Sequence, residues 1–410
     1  MGTDGLRLAL DLGTTSLAGR LLDGRGRVHA EAQVNNPQGV YGSDIIQRLE
    51  RAREGEGPNL QRLLLDGLKT LLAALLRQAD CNAAAIVAAA AAGNPGICHL
   101  LRGLPVEPLL FPPHRPRERG AVLLAAAELD VGLVVPVYLF PLVSGYVGGD
   151  LVAFLYAQQP AAPGSLFLDI GTNGEMALYA EGRWWATSVA AGPAFEGGGL
   201  ACGMPAGPGA IVDAQLAGDD LRFTVLGGGP PRGLCGSGLA AVVAAALEGG
   251  LLDRHGTLVE PLAVPGNLSR HIVEVGGGRV LRLYRDATVD LLLTQEDIRR
   301  FQLAKAAVRA GAVCLLARAG VSAERIEQVI VTGAFGFSLP AAVLKRVAML
   351  PEIMVDRVRF AEAGVLAGCG RRLLDKDAGA QVAALAQRLQ AYPLSGTPAF
   401  ERAFLNAMEF

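Results

Sequence analysis

Apolar positions along the chain fall into two alternating kinds of run. Short, almost continuous runs predict buried strands. They are LRLALDLG (Leu6 to Gly13), the alanine-rich AAAIVAAAAAG (Ala83 to Gly93), GSLFLDIG (Gly164 to Gly171) and IEQVIVTG (Ile326 to Gly333). Longer stretches with helical spacing predict helices. Asn59 to Gln78 carries leucines at 60, 63, 64, 65, 68, 71, 72, 75 and 76. Ala121 to Leu129, Gly149 to Gln158, LCGSGLAAVVAAAL (Leu234 to Leu247) and Gln295 to Ala319 read the same way, and the chain closes in a helical tail. Strands and helices that alternate throughout predict an α/β fold.

Two segments share a more particular pattern. In each, an apolar strand ends on an acid, turns through small and hydroxyl residues, and re-emerges as a hairpin. The first is LRLALDLG followed by SLAGRLLDGRGRVHAEAQV, with its turn at Gly24–Arg25–Gly26. The second is SLFLDIG followed by EMALYAEGRWWATSVA. Their acids, Asp11 and Asp169, are 158 residues apart. This is an internal repeat of architecture. With 410 residues the chain is long enough for two lobes. Pro160 and Pro163 mark the boundary, giving a first lobe at 1–160, a second at 161–370 whose last helices return to the first, and a tail at 371–410.

Composition narrows the class. Net charge is −2, which gives no electrostatic pull toward nucleic acid or an anionic membrane. The uncharged run Val131 to Gly149 contains two prolines and four glycines, so it reads as strand, turn and helix start rather than a membrane span. The N-terminus has no basic region leading into an apolar core. These features predict a soluble, cytoplasmic protein. The six cysteines (81, 98, 202, 235, 314, 369) are never closer than 17 residues. No spacing for an iron–sulfur cluster results, and reduced, buried thiols are expected.

The acid-tipped turns permit a specific chemistry. Backbone N–H groups at Gly13, Thr14 and Thr15, and at Gly171, Thr172 and Asn173, suit phosphate oxygens, with hydroxyl and amide side chains adding donors. Asp11 and Asp169 would repel phosphate directly but can hold Mg²⁺, which favours partly hydrated oxygen sites beside phosphates. A third strand-to-turn element, VIVTGAFGFS, places Gly333, Ala334, Phe335 and Gly336 where a flat adenosine could lie against backbone, or where a plain strand-to-helix turn is made.

DLGTTS, DIGTNGE and TGAFG, in that order, resemble the phosphate-one, phosphate-two and adenosine motifs of the actin, sugar kinase and heat-shock chaperone ATPase superfamily (ASKHA). That resemblance implies an actin-like fold with duplicated ribonuclease H-like lobes and ATP with Mg²⁺ in the cleft between them. Further stretches are NPQGVYGSDIIQR (Asn36 to Arg48), AGNPGICH (Ala92 to His99), GPAFEGGGLACGMPAGPGAI (Gly192 to Ile211), PPRGLCGSGL (Pro230 to Leu239), QLAKAAVRAG (Gln302 to Gly311) and the tail LSGTPAFERAFLNAMEF. These resemble the ATPase part of the reductive activators of corrinoid proteins, from about residue 6 to 410.

Such activators use ATP to help return a cob(II)alamin-type cofactor on a methyltransferase-system partner to cobalt(I). An uphill one-electron step of ~300 mV costs roughly 7 kcal/mol. The resemblance implies Asp11 and Asp169 at Mg²⁺, and Gly13, Thr14, Thr15, Gly171, Thr172 and Asn173 at the phosphates. Gly333 and Gly336 would flank the adenine. Asn94 either orients the attacking water or is a turn-forming Asn before proline. Glu196 either lies near metal or nucleotide or is a helix-cap acid. Gly236 and Ser237 either contact nucleotide or cap the following helix. Glu175 is expected to face solvent, His99 and His114 to be structural, and Trp184–Trp185 to be buried.

This sequence departs from the family in three respects. Relatives commonly carry an N-terminal ferredoxin-type cluster domain, whereas this chain opens at the first ATPase strand. Either the electron donor is a separate ferredoxin-type protein, or the chain is a shortened form, or its role differs. Asn94-Pro95-Gly96 stands for the usual Asn-Thr-Thr, and Gly333-Ala334-Phe335-Gly336 for the usual Gly-Gly-Phe-Gly. A phosphotransferase of the same fold and an ATP-gated binding protein are the alternatives, and a homodimer is compatible with the sequence.

Overall fold

The computed structural model describes residues 5–264, 266–333 and 339–410. The chain divides into two compact units. One comprises Met1–Pro163, Tyr179–Thr187 and Glu362–Pro393; the other comprises Gly164–Leu178, Ser188–Ala361 and Leu394–Phe410.

The first unit is built on β1 (Leu6–Leu12), β2 (Ser16–Leu22), β3 (Val28–Asn35), β4 (Ile86–Gly93), β5 (Val122–Leu124) and β6 (Val137–Leu139). Among the described residues they form one sheet in the order β3-β2-β1-β4-β6-β5. The first three strands are an antiparallel meander, while β1, β4 and β6 run parallel. Helix Gly57–Gln78 lies on β2 and β3 and buries Leu60, Leu64, Leu68, Leu71, Leu72 and Leu75, a spacing that keeps one face inward. Each fully buried leucine contributes roughly 1.5–3 kcal/mol.

The alanine-rich run forms β4 against alanine's helical preference, because its backbone pairs in parallel with β1 on one side and β6 on the other. Its small side chains also let helices Gly149–Ala157 and Gly364–Leu374 pack closely over it. The helix expected at Ala121 to Leu129 is not continuous. Val122–Leu124 is taken up as β5, antiparallel to β6, and the remaining turn, Ala126–Leu129, is short. The run from Val131 to Gly149 resolves into β6, a turn and a helix start, as its prolines and glycines predict.

In the rest of the chain, β7 (Ser165–Ile170) leads into the hairpin β8 (Asn173–Ala180) and β9 (Arg183–Ala190), whose turn holds Glu181 and Gly182 at positive φ. Two small sheets follow that the apolar pattern did not reveal. They are β10 (Ala210–Leu216), β11 (Leu221–Val225) and β12 (Gly233–Leu234), then β13 (Ile272–Val275), β14 (Gly278–Arg285) and β15 (Asp290–Thr294). Helix Gln295–Ala319 spans the expected residues. Thr294 and Asp297 close its N-terminus as a reciprocal cap, and Gly320 at φ +67° ends it.

The last strands are β16 (Gln328–Gly333), β17 (Val358–Phe360) and β18 (Leu389–Ala391), and the second large sheet has the order β17-β16-β7-β8-β9-β18. The tail is therefore not wholly helical, since β18 joins β9 in parallel between helices Ala378–Arg388 and Pro398–Asn406. No helix among the described residues is long and apolar enough to cross a membrane.

Candidate functional site

In the first unit, β1 delivers Asp11 to a position paired with Ala18 on β2 and Ala92 on β4. The turn that follows is held through its carbonyls. Asn36 donates its side-chain amide to the Gly13 carbonyl at 3.0 Å and its backbone N–H to the Thr15 carbonyl at 2.8 Å. Arg48 donates Nη1 to the Thr14 carbonyl at 2.7 Å and Nε to the Gly42 carbonyl at 2.9 Å, with the residue only 1% exposed. All three carbonyls of the turn thus accept from one segment, Asn36 to Arg48. Neither Asn36 nor Arg48 was singled out from the sequence as a site residue. A charged donor buried against carbonyls is a strong, costly-to-remove support.

Asn94 ends β4 and makes two bonds. Its Oδ1 accepts from the Ile97 N–H at 2.9 Å, capping helix Pro95–Leu101, and its Nδ2 donates to Thr14 Oγ1 at 2.9 Å. The cap bears out the turn-forming reading, and the same side chain also holds the Thr14 hydroxyl.

A further acid lies alongside. The point at which a Gly148 side chain would begin is 2.6 Å from the Asn94 Cα and 2.7 Å from Asp150 Oδ1. Asp150 sits in the first turn of helix Gly149–Ala157. Burial of its carboxyl raises it from the ordinary 3.8 to about 6, against a lowering contribution from the Leu151 N–H. This residue was missed in the sequence. Its signal is an acid just after Gly148-Gly149 at the head of an apolar helix.

Cys369, on helix Gly364–Leu374, bonds the Leu10 carbonyl at 3.5 Å, and burial followed by the Asp11 charge pushes its thiol well up. It is a protonated packing residue. His99 Nδ1 meets the Pro105 carbonyl at 2.8 Å and His114 Nδ1 the Leu109 carbonyl at 2.7 Å. Trp184 is buried and stacks on Tyr179, whereas half-buried Trp185 stacks on Tyr392.

In the second unit, β7 and β16 run parallel with Asp169 opposite Thr332 and Ile170 opposite Gly333. Gly333 adopts φ +97°, and a side chain there would begin 2.6 Å from Asp169 Oδ1 and collide with the Ile170 carbonyl. Glycine is required on both counts. The pairing brings Asp169 beside Gly333, 164 positions on in the chain. Ala334, Phe335 and Gly336 lie outside the described residues.

The turn after Asp169 is held differently from the first. Glu196 accepts the Thr172 N–H on Oε1 at 2.8 Å and the Thr172 hydroxyl on Oε2 at 3.0 Å. The Thr172 donors expected at phosphate are therefore engaged by a carboxylate. Glu196 closes a short 3₁₀ turn, Pro193–Glu196, instead of capping a long helix.

Glu175 does not face solvent. It is buried and accepts from Ser188 Oγ at 3.2 Å across the β8–β9 hairpin. Ser237 does not cap its helix either. The cap position is Cys235, and the Ser237 hydroxyl donates to the Val212 carbonyl at 3.1 Å. Gly236 lies against the Phe195 carbonyl, where no side chain would fit. Among the described residues no cluster of three or more His, Cys, Asp or Glu side chains is placed to enclose a metal.

The RACo middle region matches residues 6–160, and the C-terminal domain of RACo, the ASKHA domain, matches residues 164–410. The corrinoid activation enzyme RamQ of Eubacterium limosum is 29% identical over 383 residues, covering 90% of this chain and 64% of that protein. The [Co(II) methylated amine-specific corrinoid protein] reductase of Methanosarcina barkeri is 24% identical over 380 residues, covering 86% of this chain and 67% of that one. A solved reductive activator for corrinoid,iron-sulfur protein superposes with TM-score 0.93 at 29% identity, over all of this chain and 67% of that one. The chain thus spans about two thirds of the length of these relatives. With both halves matched in order, the chain belongs to the RACo family, as a middle region followed by an actin-like ASKHA domain.

Proposed function

We propose that this chain is the ATPase part of a reductive activator. In this reading it uses ATP with Mg²⁺ to help bring the corrinoid of a methyltransferase-system protein from cobalt(II) to cobalt(I). The electron comes from a separate iron–sulfur donor of ferredoxin type, and the protein works in the cytoplasm. The observation that carries the reading is the ordered match of both RACo regions across residues 6–160 and 164–410. The activities for which these relatives are named support the corrinoid substrate.

In this reading Asp11 is a Mg²⁺ carboxylate, and so is Asp169. Gly13, Thr14 and Thr15, and Gly171, Thr172 and Asn173, contact phosphate. Gly236 contacts the nucleotide, and Gly333 flanks the adenine. The turn at 13–15 suits this role because its acceptors are already used internally by Asn36 and Arg48. Bound Mg²⁺ supplies charge neutralisation at the phosphates. Asp150, raised toward neutrality by burial and adjacent to Asn94, is the group suited to accept a proton from an attacking water, while Asn94 fixes Thr14.

An uphill electron transfer requires that the nucleotide state change how the partner is held. The expected outcome is that a Co(II) corrinoid protein stimulates ATP hydrolysis, measured as phosphate release, while sugars and carboxylates do not. A phosphorylated small-molecule product would replace this reading with a kinase.

A further inference from the structure

We propose that Glu196 is an internal anion latch on the phosphate-two turn, which the nucleotide must displace and whose release the protein reads as the nucleotide signal. The inference rests on the nucleotide reading above and adds its regulation. Its first support is geometric. One carboxylate takes both donors of Thr172, N–H and hydroxyl, at 2.8 and 3.0 Å. Backbone N–H and hydroxyl groups in such a turn are the groups an oxyanion seeks, and here the protein's own oxyanion holds them. Among the described residues no Lys, Arg or His forms an ion pair with Glu196, and the residue is half-buried. It therefore presents an unneutralised negative charge where phosphate would arrive.

The second support is that the surroundings are cut to fit the contact. A side chain on Gly171 would begin 2.9 Å from Glu196 Oε1, so glycine leaves room for that oxygen. Ala191 and Gly192 return N–H bonds to the Thr172 carbonyl at 3.2 and 2.8 Å, closing the contact into a ring.

The third support is a route outward. Gly192 (φ +78°) and Gly197 (φ +76°) bracket the 3₁₀ turn, so both its ends sit at left-handed glycines able to absorb a backbone change. Phe195, next to Glu196, packs edge-on to Phe301 with ring centroids 5.8 Å apart on helix Gln295–Ala319. Asp297 on the same helix accepts from the Ala201 N–H at 3.1 Å, beyond the turn. Displacing Glu196 would shift a segment that is tied to a 25-residue helix at two points.

The test is Mg·ATP binding by calorimetry with wild type and Glu196→Gln, together with amide exchange over residues 191–204. A latch predicts about tenfold tighter binding by Glu196→Gln, the scale of one like-charge contact removed near a protein surface. It also predicts faster exchange of 191–204 in wild type when Mg·ATP is added, a readout that needs no variant to fold. Weaker binding by Glu196→Gln would overturn the latch and make Glu196 part of the binding machinery. Unchanged binding and unchanged exchange would make it a structural strut and equally overturn the proposal. Absence of Mg·ATP binding by folded wild type removes the nucleotide reading and the latch together, whereas the previous outcomes remove the latch alone.

Discussion

The turns after Asp11 and Asp169 are written alike, acid-apolar-Gly-Thr between a strand and a hairpin, and are held by opposite chemistry. The first is gripped through its carbonyls by the donors of Asn36 and Arg48. The second is gripped through the N–H and hydroxyl of Thr172 by the carboxylate of Glu196. The first grip engages acceptors and the second engages donors. On the proposed reading, the second turn exchanges that acid for the nucleotide. The comparison teaches that two copies of one motif can be braced by opposite groups, one through its acceptors and the other through its donors.

The largest effect expected from breaking this comparison is on the first turn. Arg48→Met should cost about 3 kcal/mol in chemical denaturation, since it leaves the buried Thr14 carbonyl and the half-buried Gly42 carbonyl without their donor. Loss below ~1 kcal/mol would mean the turn does not depend on that grip.

Next in size is Asp150. Its carboxyl stands at about 6, above its ordinary 3.8, so the folded state binds the extra proton and stability falls as pH rises through that window. Asp150→Asn should therefore be more stable than wild type at pH 7 by roughly 2 kcal/mol and should flatten the denaturation profile between pH 4 and 6, while lowering ATP turnover. An unchanged profile would show that burial does not raise the carboxyl.

A smaller effect separates the two glycines. A side chain at Gly13 would begin 2.6 Å from the Ser16 backbone carbonyl, whereas one at Gly171 meets the movable end of Glu196 at 2.9 Å. Gly13→Ala should cost about 2 kcal/mol and Gly171→Ala about 1 kcal/mol, both read by thermal unfolding. Equal costs would erase the distinction between a rigid and a yielding neighbour. The smallest effect is Thr14→Val, which removes one hydroxyl from the Asn94 amide and should cost about 1 kcal/mol.

Much of the fold was legible because its signals are local. The acid-tipped strands, both hairpins and helix Gln295–Ala319 are set by runs and spacings within about two dozen residues. The helix expected at 121–129 failed because pairing with β6 overrode a local pattern. The two small sheets between 210 and 294 lie in segments whose apolar alternation is broken by glycines and charges.

The sequence marked the acids and glycines at the ends of β1, β7 and β16, and did not mark the side chains that hold the turns after them. Arg48 reaches the Thr14 carbonyl across 34 positions and Glu196 reaches Thr172 across 24. No periodicity encodes such contacts. Asp150 was passed over because its raised carboxyl depends on burial beside Asn94, which the chain brings near only after folding.

The most direct measurement follows the absorbance change from cobalt(II) to cobalt(I) in a corrinoid protein mixed with this chain and a low-potential reductant. It is made with and without ATP, for wild type and for Asp169→Ala. The account predicts ATP-dependent cobalt(I) formation by wild type and its loss in Asp169→Ala with the fold intact. Cobalt(I) formation that is equal with and without ATP, or undiminished in Asp169→Ala, would contradict it.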